Sequence, residues 1–150
     1  PEKIPFTAPA RAQSYLLRMD DRELEIGAVS MGNPHAVLRV NNISKAEVGH
    51  LGPLIESHPD FPQRVNAGFM QIVSDTEIKL RVYERGVGET LACGTGACAA
   101  VAYGISRGWL SESVTVTLPG GKLSVSWAGE GQPVILTGPS AVVFDGTIKI

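Results

Sequence analysis

One stretch of the chain, residues 81–98, combines residue types that can move protons and bind anions. It reads Arg-Val-Tyr-Glu-Arg-Gly-Val-Gly-Glu-Thr-Leu-Ala-Cys-Gly-Thr-Gly-Ala-Cys, so a charged pair, Glu84 and Arg85, precedes a glycine-broken loop and then Cys93. The small apolar segment that follows predicts a buried helix, which places the Cys93 thiol just before a helix N-terminus. Unpaired backbone N–H groups and the helix dipole favour a thiolate there and can also bind a carboxylate. The arrangement is typical of an active site.

Cys93 itself has two competing interpretations. An isolated cysteine in a cytosolic domain is more often a small core residue than a catalyst. Here Gly94, Thr95 and Gly96 follow it, so the backbone can approach a ligand closely, and the helix dipole is expected to lower the pKa of the thiol. We therefore predict that Cys93 is functional and that Cys98, which lies among alanines within the helix, is structural.

The neighbouring charged and polar residues leave more than one role open. Glu84 and Arg85 end a predicted strand, where they form either an exposed ion pair of little energetic value or a substrate-binding pair. In the second case Arg85 binds a carboxylate through two hydrogen bonds, and Glu84 orients the thiol or exchanges protons with it. Asn33 precedes a proline, which is common in turns, and Asn66 has the same ambiguity. His35 titrates near neutrality unless perturbed, which suits an acid/base helper as well as a bystander.

Composition indicates a single globular domain. The chain has 150 residues, of which 43% are hydrophobic and 19% charged, and its net charge is −2. No cluster of Lys and Arg predicts nucleic-acid binding, no apolar run approaches the roughly 20 residues of a membrane span, and the histidines lack metal-ligand spacing. We expect a cytoplasmic protein without metal, nucleic-acid or membrane partners, with its cysteines reduced. Because the chain begins with Pro1 and not Met, we expect a fragment or a processed form.

Alternating apolar residues between glycines and prolines predict roughly nine short strands and two helices. The predicted strands are Gln13–Met19, Glu23–Met31 (a hairpin around Asp20-Asp21), Ala36–Val40, Gly68–Ser74, Glu77–Tyr83, Val114–Leu118, Lys122–Trp127, Pro133–Thr137 and Ala141–Phe144, before Asp145-Gly146 turns into Thr147–Ile150. A capping box with Ser44 as N-cap and Glu47 predicts a helix to about Glu56. The second helix is predicted from about Thr95 to Arg107.

The second helix defines the predicted architecture. Its segment Gly96–Ser106 is apolar on nearly every side, and a helix that is apolar all round is buried. The predicted fold is α+β, with a strongly curved, mostly antiparallel sheet wrapped around a central helix. Residues 1–150 are expected to form one domain.

Several motifs together resemble the diaminopimelate epimerase family, specifically its C-terminal half. They are Ser30–His35 (SMGNPH), Val65–Gln71 (VNAGFMQ), Arg81–Ala102 (RVYERGVGETLACGTGACAAVA), Leu118–Lys122 (LPGGK) and Thr137-Gly138-Pro139 with Asp145-Gly146. The Cys-Gly-Thr-Gly run alone also suits the wider group of cofactor-independent racemases. The Glu-Arg-Gly-x-Gly-Glu-Thr sequence before it makes the resemblance to diaminopimelate epimerases more specific. The resemblance extends over the length of the chain.

The resemblance implies a two-lobed enzyme that converts LL-diaminopimelate to meso-diaminopimelate, in lysine and peptidoglycan precursor biosynthesis, without pyridoxal phosphate or metal. Each lobe is a sheet around a helix, and the substrate lies between the lobes. One cysteine from each lobe faces the α-carbon, so that one thiolate removes the α-proton and the other thiol delivers a proton to the opposite face. The N-terminal lobe, with the second cysteine, is absent here. We therefore expect the chain to fold but not to epimerise alone, and the full-length enzyme to be a homodimer.

Mapped by motif, the resemblance makes Cys93 the acid/base cysteine of this lobe, with Glu84 as its partner, and His35 the residue that assists the cysteine of the other lobe. The substrate-binding residues that it implies are Gly94 and Thr95 for the carboxylate at the reacting centre, and Asn33, Asn66 and Arg85 for the distal amino-acid end. Three alternatives remain open: a proline or hydroxyproline racemase lobe, a thiol hydrolase that uses Cys93 with His35, and a non-catalytic carboxylate-binding lobe.

Overall fold

A computed structural model describes residues 4–19, 22–142 and 144–149, which form a mixed nine-stranded sheet and two α-helices. The elements are β1 (Tyr15–Arg18), β2 (Glu23–Ser30), β3 (Pro34–Arg39), a 3-10 helix (Ile43–Lys45), α1 (Val48–Glu56), β4 (Asn66–Ser74), β5 (Glu77–Glu84), β6 (Gly88–Thr90), α2 (Gly94–Ser106), β7 (Ser113–Leu118), β8 (Gly121–Ser126) and β9 (Ile135–Thr137). The α+β class is confirmed. None of the described helices is long and apolar enough to cross a membrane.

The sheet is mostly antiparallel, as predicted. Its strand order is β1-β2-β3-β4-β5-β7-β8-β9, with β6 paired to β5 off this path. Two neighbouring pairs are parallel, β3 with β4 and β5 with β7. A parallel pair needs a crossover connection, and these two crossovers contain α1 and α2 respectively.

Helix α2 is the central helix that the sequence predicts. Its residues from Gly96 to Gly104 are buried, and it contacts strands β2, β3, β4, β5, β8 and β9. Small side chains permit this close packing. A Cβ added to Gly27 of β2 would lie 2.3 Å from the ring of Tyr103 on α2, so a glycine is required where the helix and the strand meet. A second hydrophobic cluster surrounds α1 and includes Val48, Leu51 and Ile55.

The predicted start of the first helix was wrong. Ser44 is not an N-cap but lies in the 3-10 helix, whose own N-cap is Asn42. The Asn42 side-chain oxygen accepts a hydrogen bond from the Ser44 backbone N–H at 2.9 Å, and Ala46 then has an extended backbone that interrupts the helix. Helix α1 therefore begins at Val48, with Glu47 as N-cap. A short-range Asx contact has competed with the helix for this backbone.

The predicted C-terminal strands were also wrong over the residues that the structure describes. Residues 141, 142 and 144–149 lie in no strand, while Val143, Ile150 and the predicted Asp20-Asp21 turn lie outside the described residues. Val142, Phe144 and Ile148 are 84%, 82% and 84% exposed, so their alternating pattern finds no neighbouring strand within the described chain. Alternation predicts a strand only where a partner strand and a buried face exist.

Candidate active site

The sheet brings the predicted site residues to one edge. His35 and Asn66 are paired across the parallel strands β3 and β4, at the start of each strand. Strand β5 runs antiparallel to β4 and therefore ends at the same edge, which places Glu84 and Arg85 beside them. The N-terminus of α2 faces this edge and carries Cys93.

Cys93 occupies the predicted position at the helix start. It is the N-cap residue of α2, with extended backbone angles φ −141° and ψ 104°, and the first helical hydrogen bond runs from the Ala97 N–H to its carbonyl at 3.0 Å. The N–H groups of Gly94, Thr95 and Gly96 lie before that bond, at the positive end of the helix dipole. Cys93 is 5% exposed, and a Cβ added to Gly96 would lie 3.1 Å from the Cys93 sulfur. The sulfur therefore lies against the first turn of the helix.

The predicted direction of the Cys93 pKa was wrong. Burial raises the pKa of the Cys93 thiol above its usual value, because the thiolate loses hydration. The Gly96 N–H and the Thr95 hydroxyl pull the pKa down, but the Glu84 carboxylate raises it further. At neutral pH the residue is therefore a protonated thiol, which suits a proton donor.

Glu84 lies beside the Cys93 thiol, and Thr90 in turn contacts Glu84. The Thr90 hydroxyl donates a hydrogen bond of 2.6 Å to Oε1 of Glu84, and the Glu84 carboxylate interacts with the Cys93 thiol. The sequence prediction missed Thr90, because its place depends on β6, a three-residue strand that the glycine-broken loop does not reveal. The only available signal was its position inside the Glu-Arg-Gly-x-Gly-Glu-Thr motif.

A chain of polar contacts links His35 to Cys93. His35 Nε2 lies 3.0 Å from Asn33 Oδ1, Asn33 Nδ2 donates to Thr95 Oγ1 at 3.4 Å, and Thr95 Oγ1 lies 3.7 Å from the Cys93 sulfur. Burial lowers the pKa of His35 to about 4, the Glu84 charge opposes this effect and the Arg85 charge adds to it. The imidazole is therefore neutral at pH 7 and, because Asn33 Oδ1 can only accept, donates through Nε2.

Asn66 joins three segments of this edge. It is 4% exposed; its Nδ2 donates to the Pro34 carbonyl at 3.0 Å, and its Oδ1 accepts from the Arg85 backbone N–H at 2.9 Å. The exposed Arg85 side chain donates from Nη1 to the Gln63 carbonyl at 3.0 Å. A guanidinium has several further N–H donors, so Arg85 keeps capacity for a carboxylate.

Glu56 is a second residue that the sequence prediction missed. It is 7% exposed, and its Oε1 accepts from the Gly86 N–H at 2.7 Å and from Arg64 Nη1 at 3.3 Å. Arg64 has a positive φ of 60°, a conformation that costs energy for a non-glycine residue. The buried carboxylate thus fixes the loop that carries Arg85. Nothing in the local sequence distinguishes Glu56 from a solvated helix end.

Two other features of the described residues bear on ligands. No group of three or more His, Cys, Asp and Glu side chains in the part of the chain that the structure describes is placed to hold a metal ion. A cavity of about 1210 Å³ lies near the C-terminal half of α2, with Tyr15, Ser106 and Trp127 in its lining, and Cys93 is not part of it. The site at the N-terminus of α2 is instead an open edge, where Leu91 is 71% exposed.

Solved structures with low sequence identity share this fold. A hydroxyproline epimerase from Agrobacterium vitis has a TM-score of 0.63 and 19% identity, over 83% of this chain and 45% of that one. A probable proline racemase from Agrobacterium radiobacter has a TM-score of 0.57 and 19% identity, over 88% of this chain and 50% of that one. At this identity the likeness concerns the fold.

Sequence comparison gives the family. The diaminopimelate epimerase family model matches residues 27–143. Curated diaminopimelate epimerases from Alkalilimnicola ehrlichii and Thioalkalivibrio sulfidiphilus are 60% and 62% identical over the whole chain, which covers 54% of each. The chain therefore spans about half the length of the curated relatives that it matches. These comparisons establish that the chain belongs to the diaminopimelate epimerase family.

Proposed function

We propose that this chain is one half of an enzyme that interconverts LL- and meso-diaminopimelate by proton transfer at the α-carbon, without a cofactor. The observation that carries the proposal is the position of the Cys93 thiol, at the N-cap of a buried helix beside the Glu84 carboxylate. The relatives named diaminopimelate epimerase support the same substrate. The family relationship supports a cytoplasmic enzyme, and the expected homodimer stays a prediction.

The helix N-terminus supplies the charge stabilisation that the reaction needs. An amino-acid α-proton is very weakly acidic, so negative charge that develops at the α-carbon and its carboxylate must be stabilised by fixed donors. In the proposal the N–H groups of Gly94 and Thr95 bind this carboxylate, which brings the α-carbon towards Cys93. Donors that the helix already holds in place need no reorganisation as the charge develops, and they become more effective once water is excluded from the site.

Cys93 delivers or removes the proton on one face of the α-carbon. Its raised pKa keeps the resting thiol protonated, so it is ready to give its proton to the developing carbanion. The thiolate that remains is favoured by the Gly96 N–H and the Thr95 hydroxyl. In the reverse direction the same sulfur, as thiolate, removes the α-proton, with Glu84 accepting the proton that the resting thiol must first lose.

The opposite face requires a second acid/base group. In the proposal it is a cysteine from the remaining half of the longer protein, and His35 assists it across the cleft. Because His35 is neutral at pH 7 and donates through Nε2, its Nδ1 can accept a hydrogen bond from that group. Two opposed groups let the reaction run in both directions without rotation of the substrate.

The distal amino-acid end of the substrate is assigned to Asn33, Asn66 and Arg85. The contacts of Asn66 with Pro34 and Arg85 hold these residues at one edge of the sheet. The Arg85 guanidinium is exposed there and can bind a second carboxylate. A site for two amino-acid ends favours diaminopimelate over the single-ended substrates of a proline or hydroxyproline racemase.

The thiol hydrolase alternative fits the geometry less well. A nucleophilic cysteine is activated by a base within hydrogen-bond reach. In this structure His35 Nε2 contacts Asn33, and the Asn33 and Thr95 side chains lie between the imidazole and the Cys93 sulfur. The remaining alternative, a non-catalytic carboxylate-binding lobe, predicts that the thiol is dispensable.

A cysteine exchange in the full-length protein tests the proposal. We expect Cys93→Ala to lower kcat for LL-to-meso conversion by at least about 100-fold, because a positioned proton-transfer group contributes about that much or more. Cys98→Ala, on the same helix, serves as the matched control and should retain activity within a few-fold. Conversion is measured by chiral chromatography of the two stereoisomers. Wild-type turnover by Cys93→Ala would refute the proposal and favour a binding lobe.

A further inference from the structure

Thr90 has a place in the site that neither the family resemblance nor the proposed mechanism uses. Its hydroxyl oxygen lies 2.6 Å from Glu84 Oε1 and 3.4 Å from the Ala92 carbonyl oxygen. We propose that Thr90 is the positioning residue for Glu84, and that the Thr90 hydroxyl hydrogen-bonds to the Glu84 carboxyl group whether that group is ionised or protonated. The inference rests on the proposed function, in which Glu84 exchanges protons with Cys93.

The pairing of β6 with β5 brings the Thr90 hydroxyl next to the Glu84 carboxylate. Strand β6 pairs with β5 so that Thr90 is opposite Val82 and Gly88 is opposite Glu84. Neighbouring residues of a strand point to opposite faces, so Glu89 points away from Thr90. Strand β6 also packs against α1, and the position of the Thr90 hydroxyl depends on the contacts that hold this strand in place.

The Glu89 side chain provides that anchor. Its carboxylate binds Arg81 through two hydrogen bonds of 2.6 and 2.9 Å. Arg81 in turn donates from Nη1 to the carbonyl oxygens of Ile43 and Ala46, at 3.2 and 3.4 Å. A two-pronged ion pair of this kind has little orientational freedom, so β6 is tied to the sheet and the 3-10 helix together. Thr90 is thereby held towards Glu84.

A hydroxyl can match the carboxyl group before and after proton transfer. While Glu84 is ionised, the Thr90 O–H donates to it. When the proton passes from Cys93, the S–H bond breaks, the electron pair stays on sulfur and an O–H bond forms on the carboxyl group. The Thr90 hydrogen can then turn to the Ala92 carbonyl, leaving the Thr90 oxygen free to accept from the protonated carboxyl. An apolar side chain of the same shape supports neither state.

Paired substitutions in the full-length protein test this role. We expect Thr90→Val, which keeps the shape and removes the hydroxyl, to lower kcat about 10- to 100-fold, the value of a hydrogen bond to a charged group. KM should change by less than about threefold if substrate binding is untouched. Thr90→Ser restores the hydroxyl and should recover kcat to within a few-fold of wild type. Loss of a donor to the ionised carboxylate should also move the acidic limb of the pH–rate profile to higher pH.

A matched control is available in the same sheet. Thr117 of β7 has a buried hydroxyl without a hydrogen-bond partner among the described residues, so Thr117→Val makes the same chemical change without breaking a contact. It should retain the wild-type kcat and pH profile. Thermal unfolding by circular dichroism checks that each variant folds. Should Thr90→Val not fold, Thr90→Ala, which only removes atoms, replaces it.

Cys93→Ala and Glu84→Gln separate the two proposals. If both abolish conversion while Thr90→Val and Thr90→Ala keep the wild-type kcat and pH profile, the role of Thr90 is overturned and the proposed function stands. The role is also overturned if Thr90→Ser is as impaired as Thr90→Val. If Cys93→Ala retains turnover, the proposed function itself fails, whatever the Thr90 variants do.

Discussion

The Cys93 sulfur experiences opposing effects that together set its chemistry. Burial and the Glu84 charge raise the pKa of the thiol, while the Gly96 N–H and the Thr95 hydroxyl lower it. The sulfur is held as a thiol, but hydrogen-bond donors that favour its thiolate form lie close to it. A small change in the surroundings can therefore change its protonation state. The same site thus contains groups that favour the thiol and groups that favour the thiolate.

His35 predicts a pH dependence of stability. The pKa of His35 is about 4 in the folded state, against 6.5 in the unfolded state. Between these two pH values His35 is therefore protonated in the unfolded chain but not in the folded chain. The free energy of unfolding should therefore fall between pH 6.5 and about 4 and then level off for this residue, by up to about 3 kcal/mol in total. Urea titrations across this pH range measure the change.

The comparison variant for this prediction is His35→Gln. The glutamine amide can replace the donor at Nε2 but does not titrate, so the part of the pH dependence that is due to His35 should disappear. An equally steep loss of stability in His35→Gln would assign the effect to other groups and contradict the buried neutral imidazole.

At the scale of secondary-structure elements, the packing of α2 against the sheet depends on glycines. A Cβ on Gly27 would lie 2.3 Å from the Tyr103 ring, and that ring is buried and held between β2 and Trp109, to which it packs edge-on at 5.5 Å. Since a side chain at position 27 would overlap this ring, α2 and β2 can lie this close together only with glycine there. This contact helps to fix the helix whose N-terminus carries the site.

We expect Gly27→Ala to lower the free energy of unfolding by about 1–3 kcal/mol, the usual cost of overpacking a core. Gly49→Ala is the matched control, because a Cβ there meets no atom within 4 Å and alanine is the better helix former. The control should leave stability equal or raise it by up to about 1 kcal/mol. Chemical denaturation of both variants measures these changes in the free energy of unfolding. If Gly27→Ala is as stable as wild type, the Tyr103 ring moves to make room for the added methyl group.

The elements that sequence patterns predicted are those with strong internal signals. The apolar run of α2 and the alternation of β4 and β5 are long enough to define each element. The three-residue β6 and the break at Ala46 have no such pattern, since each depends on a single tertiary or short-range contact. Val142, Phe144 and Ile148 show the converse, because their alternation is clear but the described chain offers them no partner strand.

The site was predictable to a similar degree. Residue types and the position of Cys93 at a helix start follow from the sequence, and the fold places Glu84, Arg85, Asn66 and His35 at the same edge of the sheet. The direction of the Cys93 pKa did not follow, because burial outweighs the helix terminus and burial depends on the whole packing. Thr90 and Glu56 act through contacts between distant segments, which local patterns do not encode.

At the scale of the whole molecule, the site is open where a partner surface is needed. In the proposed function Cys93 acts on one face of the substrate, and exposed apolar side chains lie nearby, with Leu91 71% and Leu136 44% exposed. A Cβ on Gly94 would lie 3.1 Å from the Leu136 side chain, so Leu136 borders the helix start. The remaining half of the longer protein is expected to cover this edge and to exclude water during proton transfer.

The chain of 150 residues on its own is therefore expected to fold without catalysing epimerisation. We predict a cooperative thermal transition by circular dichroism, but no α-deuterium incorporation into diaminopimelate in deuterium oxide above the buffer rate, because the second acid/base group is missing. The full-length protein is the positive control in the same assay. Robust exchange by the isolated chain would mean that one cysteine suffices.

The most direct test of the central claim is covalent capture of the Cys93 sulfur by an electrophile placed at the substrate's α-carbon. The full-length protein is treated with the stereoisomers of an aziridine analogue of diaminopimelate, and the modified residue is identified by peptide mass spectrometry. We predict that one stereoisomer labels Cys93 stoichiometrically, in parallel with loss of activity, and leaves Cys98 unmodified. Inactivation by both stereoisomers without any label on Cys93 would contradict the account, because the sulfur would not face the reacting carbon.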